Sequence, residues 1–229
     1  MMLAACGSSG KAPETTAAPA AETTAAAAES VAAETTAAAA ETTAAAAETA
    51  APEATAAETE AAADGELPAL SGGFESPILI TSAGQSADAN IVQTLCTKAG
   101  IVTELNVVAT GEDLANVKTL VISVGGSSKG LGAAGIDADQ EIERVSALIA
   151  AAKDAGVKIV SMHVGGGARR GDLSDKFIAA PFEAADAAVV VSSGDADNMI
   201  RDILTANGTP AAYVDDQISC VDCLTTLFK

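Results

Sequence analysis

From Pro77 onward, apolar residues fall into short continuous runs separated by stretches with helical spacing. The runs are Ile78 to Thr81, ELNVVA at 104–109, KTLVISV at 118–124, VKIVSMHV at 157–164, AAVVVS at 187–192 and AAYV at 211–214. Unbroken rather than alternating apolar character marks strands buried on both faces. Between the first two runs, Val92, Leu95, Cys96 and Ala99 recur at i, i+3, i+4 and i+7, with Gly100 as the stop. Asp137 and Gln140 form a capping pair ahead of Ile142, Val145, Leu148, Ile149 and Ala152, and Gly156 ends that helix. Further helices are predicted over 173–184 (Leu173, Phe177, Ala184) and 196–206 (Met199, Ile200, Ile203, Leu204). A C-terminal helix follows on the stripe Ile218, Val221, Leu224 and Phe228.

Strands alternating with helices of this length imply a parallel sheet covered on both sides. Right-handed crossovers then give a three-layer, doubly wound α/β domain, flavodoxin- or Rossmann-like, with strand order 2-1-3-4-5 favoured. With four phenylalanines, one tyrosine and no tryptophan in 229 residues, its core must be aliphatic.

Composition divides the chain. Residues 7–73 are mostly Ala, Thr and Glu, and ETTAAAA recurs at 22–28, 34–40 and 41–47. A seven-residue period without apolar seam positions is not a coiled coil. So little apolar surface predicts a disordered, partly helical tether with an r.m.s. span of about 40–45 Å. Residues 74–229 are expected to form the α/β domain. Residues 1–6, MMLAAC, read as a truncated lipoprotein signal in which Leu3-Ala4-Ala5-Cys6 is the lipobox and Cys6 the lipidated residue. The expectation is an extracytoplasmic protein anchored to the cell membrane through Cys6. The net charge of −19 disfavours a nucleic-acid partner.

Ten of the twenty glycines lie in three strand-to-helix loops: Gly84, the five within 125–135, and the four within 165–171. In the favoured order the first, third and fourth strands are neighbours, so these loops are expected to meet in one crevice at the switch point of the sheet. Ser82, Gln85 and Ser86 come from the first loop. Gly125, Gly126, Ser127, Ser128, Lys129 and Gly130 come from the second, and His163, Gly165, Gly166, Arg169 and Arg170 from the third. Three cations on an acidic domain, beside glycine-rich backbone, predict a small anionic ligand. The competing reading pairs Arg169 and Arg170 with Asp172, Asp175 or other acids.

Named motifs add little. GLGAAG at 130–135 does not open directly from a strand and lacks the acid expected about 20 residues on, so no nucleotide cofactor is predicted. GSSKG at 126–130 fits the nucleophile pattern with Ser128, and Ser128, His163 and Asp172 would be the catalytic set of a hydrolase. That reading suffers because the next helix is expected only near 138. Cys220 and Cys223 form a C-x-x-C in a terminal helix, where two small side chains beside the apolar stripe is the favoured account. No metal site is predicted, since zinc would need two more soft ligands.

The blocks PILITSAGQSADA, GGSSKGLGAAGID and GGGARRGDLSDKFI resemble a bacterial family of extracytoplasmic domains described as a domain of unknown function, from about Pro77 to Lys229. The resemblance implies an α/β domain in exported or lipid-anchored proteins and brings no catalytic residues. The first functional expectation is therefore a non-catalytic lipoprotein that binds a small anionic solute. A hydrolase using Ser128 and His163, and a protein-interaction module whose partner the sequence does not specify, are the alternatives.

Overall fold

The computed structural model describes residues 66–229. Cys6, the lipobox and the repeated segment lie outside the described residues. Six strands, β1 (Ile78–Ala83), β2 (Thr103–Leu105), β3 (Thr119–Val124), β4 (Lys158–His163), β5 (Ala187–Val191) and β6 (Ala211–Val214), form one sheet in the order β2-β1-β3-β4-β5-β6. Every pairing is parallel. This is the expected doubly wound architecture, with β6 extending it at one edge.

Alternation along the strands sorts side chains to two cores. Leu79, Leu120, Ile122, Ile159 and Val190 face α3 (Ala138–Asp154), α4 (Ala179–Glu183) and α5 (Met199–Asn207). Ile80, Val121, Val160, Met162 and Val189 face α1 (Asp88–Lys98) and α6 (Cys220–Leu227). Because α1 covers one face and α3 the other, the chain reverses its winding between β1 and β3. That arrangement opens a crevice at their C-terminal ends.

The local signals explain most element ends. Asp137 caps α3 by accepting from the Gln140 N–H at 2.8 Å, and the Gln140 side chain accepts from the Asp137 N–H at 3.0 Å. Gly100, Gly156 and Gly208 have positive φ just past α1, α3 and α5. Departures from expectation have equally local causes. The run 104–109 is a strand only to Leu105, because Asn106 turns the chain: its Oδ1 accepts from the Val108 N–H and its carbonyl from the Ala109 N–H. The helix expected over 173–184 is instead a 3-10 turn (Asp175–Phe177) followed by α4. Pro181, which lacks an N–H, thereby sits in the first turn of α4, where none is needed. An additional helix, α2 (Ser128–Ala134), starts directly after the β3 loop, ten residues before α3. On α6 the buried face is Cys220, Leu224 and Leu227, while Ile218 lies outside the helix and is 62 % exposed.

The residues just before β1 are docked on the domain, although composition placed them in the tether. The Ala211 N–H, at the start of β6, donates to the Pro68 carbonyl at 3.0 Å. Leu67 packs on the α3-side core, and Leu70 and Phe74 pack on the α1-side core. The segment thus passes around the free edge of β6, near the N-terminal ends of the strands, and shields an otherwise open edge.

Candidate functional site

The loops after β1 and β3 are held at contact distance. The Gly125 N–H donates to Ala83 O at 2.9 Å and the Ser127 N–H to Gly84 O at 2.8 Å, while Gln85 and Gly126 form an isolated antiparallel bridge. Gly84 has φ +102°, and a Cβ there would lie 2.5 Å from Gly125 O. A Cβ on Gly130 would lie 1.8 Å from Gln85 O. These glycines let two backbones touch. Ser127 then caps α2, its Oγ accepting from the Gly130 N–H at 3.0 Å.

A buried ion pair clamps the β1 loop from below. Glu141, with a fully buried side chain, accepts from the Gly84 N–H at 2.9 Å, from Gln85 Nε2 at 3.0 Å and from Arg144 Nε at 2.8 Å. Arg144 also donates to Ala109 O at 2.7 Å and to Ser82 O. The clamp was readable in part, because Glu141 stands four and seven residues before Val145 and Leu148, on the core-facing stripe of α3. A charge there calls for a partner.

The third loop brings two arginines, both already engaged. Arg169 Nε lies 3.1 Å from Asp88 Oδ2. Asp88 nests between two glycines, since a Cβ on Gly125 or Gly165 would come 3.0 or 2.7 Å from that oxygen. Arg170 donates to Asp175 at 2.7 Å, to Asp197 at 2.9 and 2.8 Å, and to Gly194 O at 2.7 Å. Its guanidinium pulls the Asp197 carboxyl down to about 2 and lowers Asp175, while the two carboxylates raise Arg170 itself. Among the described residues Asp172 joins no ion pair, and neither does Lys129.

All three loops meet around Asp88, yet they line two hollows. The first, of about 490 Å³, is bounded by Gln85, Ser86, Ser127, Lys129 and Gly130 from the expected set. Asn90, Val107, Val108, Ala133 and Ala134 complete its walls. The second, of about 510 Å³, is lined by Gly165 and Gly166 with Val191, Ser193, Asp216 and Ile218. Gly125 is buried beneath the loops, and Gly126 donates to Ser174 Oγ at 3.0 Å. Ser82 and His163 are buried on opposite faces of the sheet: Ser82 continues the row of Ile78 and Ile80, and His163 that of Ile159. The single positively charged crevice expected from the sequence is therefore two hollows separated by the Arg169–Asp88 pair.

Ser128 is exposed at the start of α2, and no hydrogen bond joins it to His163 or Asp172. The helix that a nucleophile elbow requires is present after all, but the base is not available to it. His163 is sealed, with Nε2 3.3 Å from Arg169 O and Nδ1 without a partner. Burial lowers its pKa, and Arg170 lowers it further against the opposing pull of Asp88 and the Arg169 carbonyl. Nor are the thiols of the C-x-x-C activated. Burial pushes Cys220 up to about 12 and raises Cys223.

No curated protein and no solved structure matches the chain. The sequence model of one family does match, over residues 75–228, which is the whole sheet with its covering helices. On that match the chain belongs to the DUF6305 family, a domain of unknown function.

Proposed function

We propose that the domain is a non-catalytic receptor for a small anionic solute, bound in the hollow between the β1 and β3 loops. The observation that carries this reading is the coincidence of that hollow with the switch point of the sheet and with Lys129, a cation that has no carboxylate within ion-pair range among the described residues. Hollows of this size and position are where doubly wound sheets take ligands. Ser86 and Ser127 supply hydroxyls. Their oxygens already accept from the Asp88 and Gly130 N–H groups at 3.3 and 3.0 Å, which leaves each O–H to donate to a ligand.

The proposal extends to location: a lipid on Cys6 holds the domain outside the cytoplasmic membrane. The described chain enters at the N-terminal end of β6, while the hollow opens at the C-terminal ends of β1 and β3.

Calorimetric titration of the full chain with octanoate, succinate and inorganic phosphate tests the binding reading. At least one of the three gives saturable heat that Lys129→Ala weakens and Lys129→Arg largely retains. Heats that are flat for all three, or that Lys129→Ala leaves unchanged, overturn it.

A further inference from the structure

The lining of the first hollow specifies its ligand more narrowly than charge alone. We infer that the ligand is a monocarboxylate with a short aliphatic body, an inference that rests on the anion-binding reading above.

Charge sets the first limit. Lys129 is the one cationic side chain lining the hollow. Arg144, Arg169 and Arg170 are each committed to carboxylates and have no charge left to offer. The chain from Leu67 onward carries twenty acids against eleven bases. One lysine balances one negative charge. A second charge on the ligand, as in succinate or a phosphate dianion, would stay uncompensated in an acidic domain.

The donors set the second. Gln85 is not free to contribute an amide hydrogen, because its Nε2 already donates to Val107 O at 2.8 Å and to Glu141 at 3.0 Å. What remains is the Lys129 ammonium, the hydroxyls of Ser86 and Ser127 and the exposed Asn90 amide, one charge with neutral donors around it, which suits the two oxygens of one carboxylate.

The walls set the third. Val107, Val108, Ala133 and Ala134 make one side of the hollow aliphatic, and Val108 is 43 % exposed there, a wetted apolar surface that a hydrocarbon would cover. None of the lining residues is aromatic, so a nucleobase or aryl group has no ring face to stack on. An anionic head at Lys129 with an alkyl body against Val108 and Ala134 matches the single charge and the aliphatic wall.

Titration of the full chain with butanoate, hexanoate, octanoate, octanamide, succinate and inorganic phosphate tests the inference. Affinity rises about fourfold per methylene from butanoate until the alkyl body outruns the wall. Octanamide binds about tenfold more weakly than octanoate. Val108→Thr, nearly isosteric, flattens the chain-length dependence and leaves unfolding unchanged within error. Phosphate or succinate binding more tightly than octanoate, with Lys129 dependence, overturns this inference and keeps the anion-binding reading. Chain-length dependence that survives Val108→Thr also overturns it, and no Lys129-dependent binding of any probe overturns both.

Discussion

Replacing Arg144 by methionine tests whether the β1 loop is held by a buried charge or only by packing. Glu141 has a fully buried side chain, and Arg144 is 12 % exposed. The substitution keeps most of the aliphatic stem but removes both bonds to the Glu141 carboxylate and those to the Ala109 and Ser82 carbonyls. Glu141 keeps the Gly84 N–H and the Gln85 amide as donors, neither carrying a charge. Breaking a buried pair in this way costs about 3–5 kcal/mol, against a total stability of about 5–15 kcal/mol for a domain. Followed by far-ultraviolet circular dichroism in urea, with a slope of about 2 kcal/mol/M, the midpoint falls by about 2 M. The double variant Glu141→Gln/Arg144→Met removes the orphaned charge while preserving an acceptor for Gly84. It regains at least about 1 kcal/mol of the loss. A loss below about 1 kcal/mol for Arg144→Met, or a double variant no more stable than the single one, refutes the reasoning.

Three further predictions concern the loops and α2. His163 is buried as the neutral imidazole and its folded pKa lies below 6.5, so the unfolded chain binds the proton first and stability falls as pH drops through about 6.5 towards the folded value. The slope attributable to this residue reaches at most about 1.4 kcal/mol per pH unit; urea midpoints between pH 7.5 and 5.5 fall less steeply in His163→Gln, where the amide can still donate to Arg169 O. Gly130→Ala drives a Cβ into Gln85 O and costs about 1–3 kcal/mol, with loss of ligand binding as α2 is displaced. Gly132→Ala, two residues along the same helix with nothing within 4 Å, is neutral or stabilises by up to about 1 kcal/mol in the same urea titration.

β1, β3, β4 and β5 were legible because each is built on a largely aliphatic run, and helix ends were legible where capping chemistry is local, as at Asp137 and Gly156. Legibility failed where one residue overrides a longer pattern. Asn106 turns the chain although Val107, Val108 and Ala109 continue the apolar run, and Pro181 divides a periodic stretch that reads as one helix. The seven-residue α2 escaped notice because glycines at 130 and 132 give it poor helix propensity, and what favours it is the Ser127 cap and close packing on Gln85.

The glycines located the loops after β1 and β4 and the start of the loop after β3, although Gly130 and Gly132 lie within α2, and several are there for close packing. Gly84 and Gly130 are required by neighbouring carbonyls and Gly165 by the Arg169 side chain and the Asp88 carboxylate, while Gly125 packs closely on Asp88 and Ser86. Arg170 had one partner five residues away, and the acid at 175 was readable as such; Asp88 and Asp197 reach their arginines from positions 81 and 27 residues distant. Once these pairings are counted, the rim that reads as three positive charges changes character. Arg169 with Asp88 is neutral, Arg170 with Asp175 and Asp197 is net negative, and Asp216 adds a further acid at the second hollow. Lys129 alone remains, on the wall of the first hollow. The fold thus separates charge along the C-terminal edge of its sheet among the described residues, with paired or net-acidic groups beside β4–β6 and the unpaired Lys129 beside β1–β3.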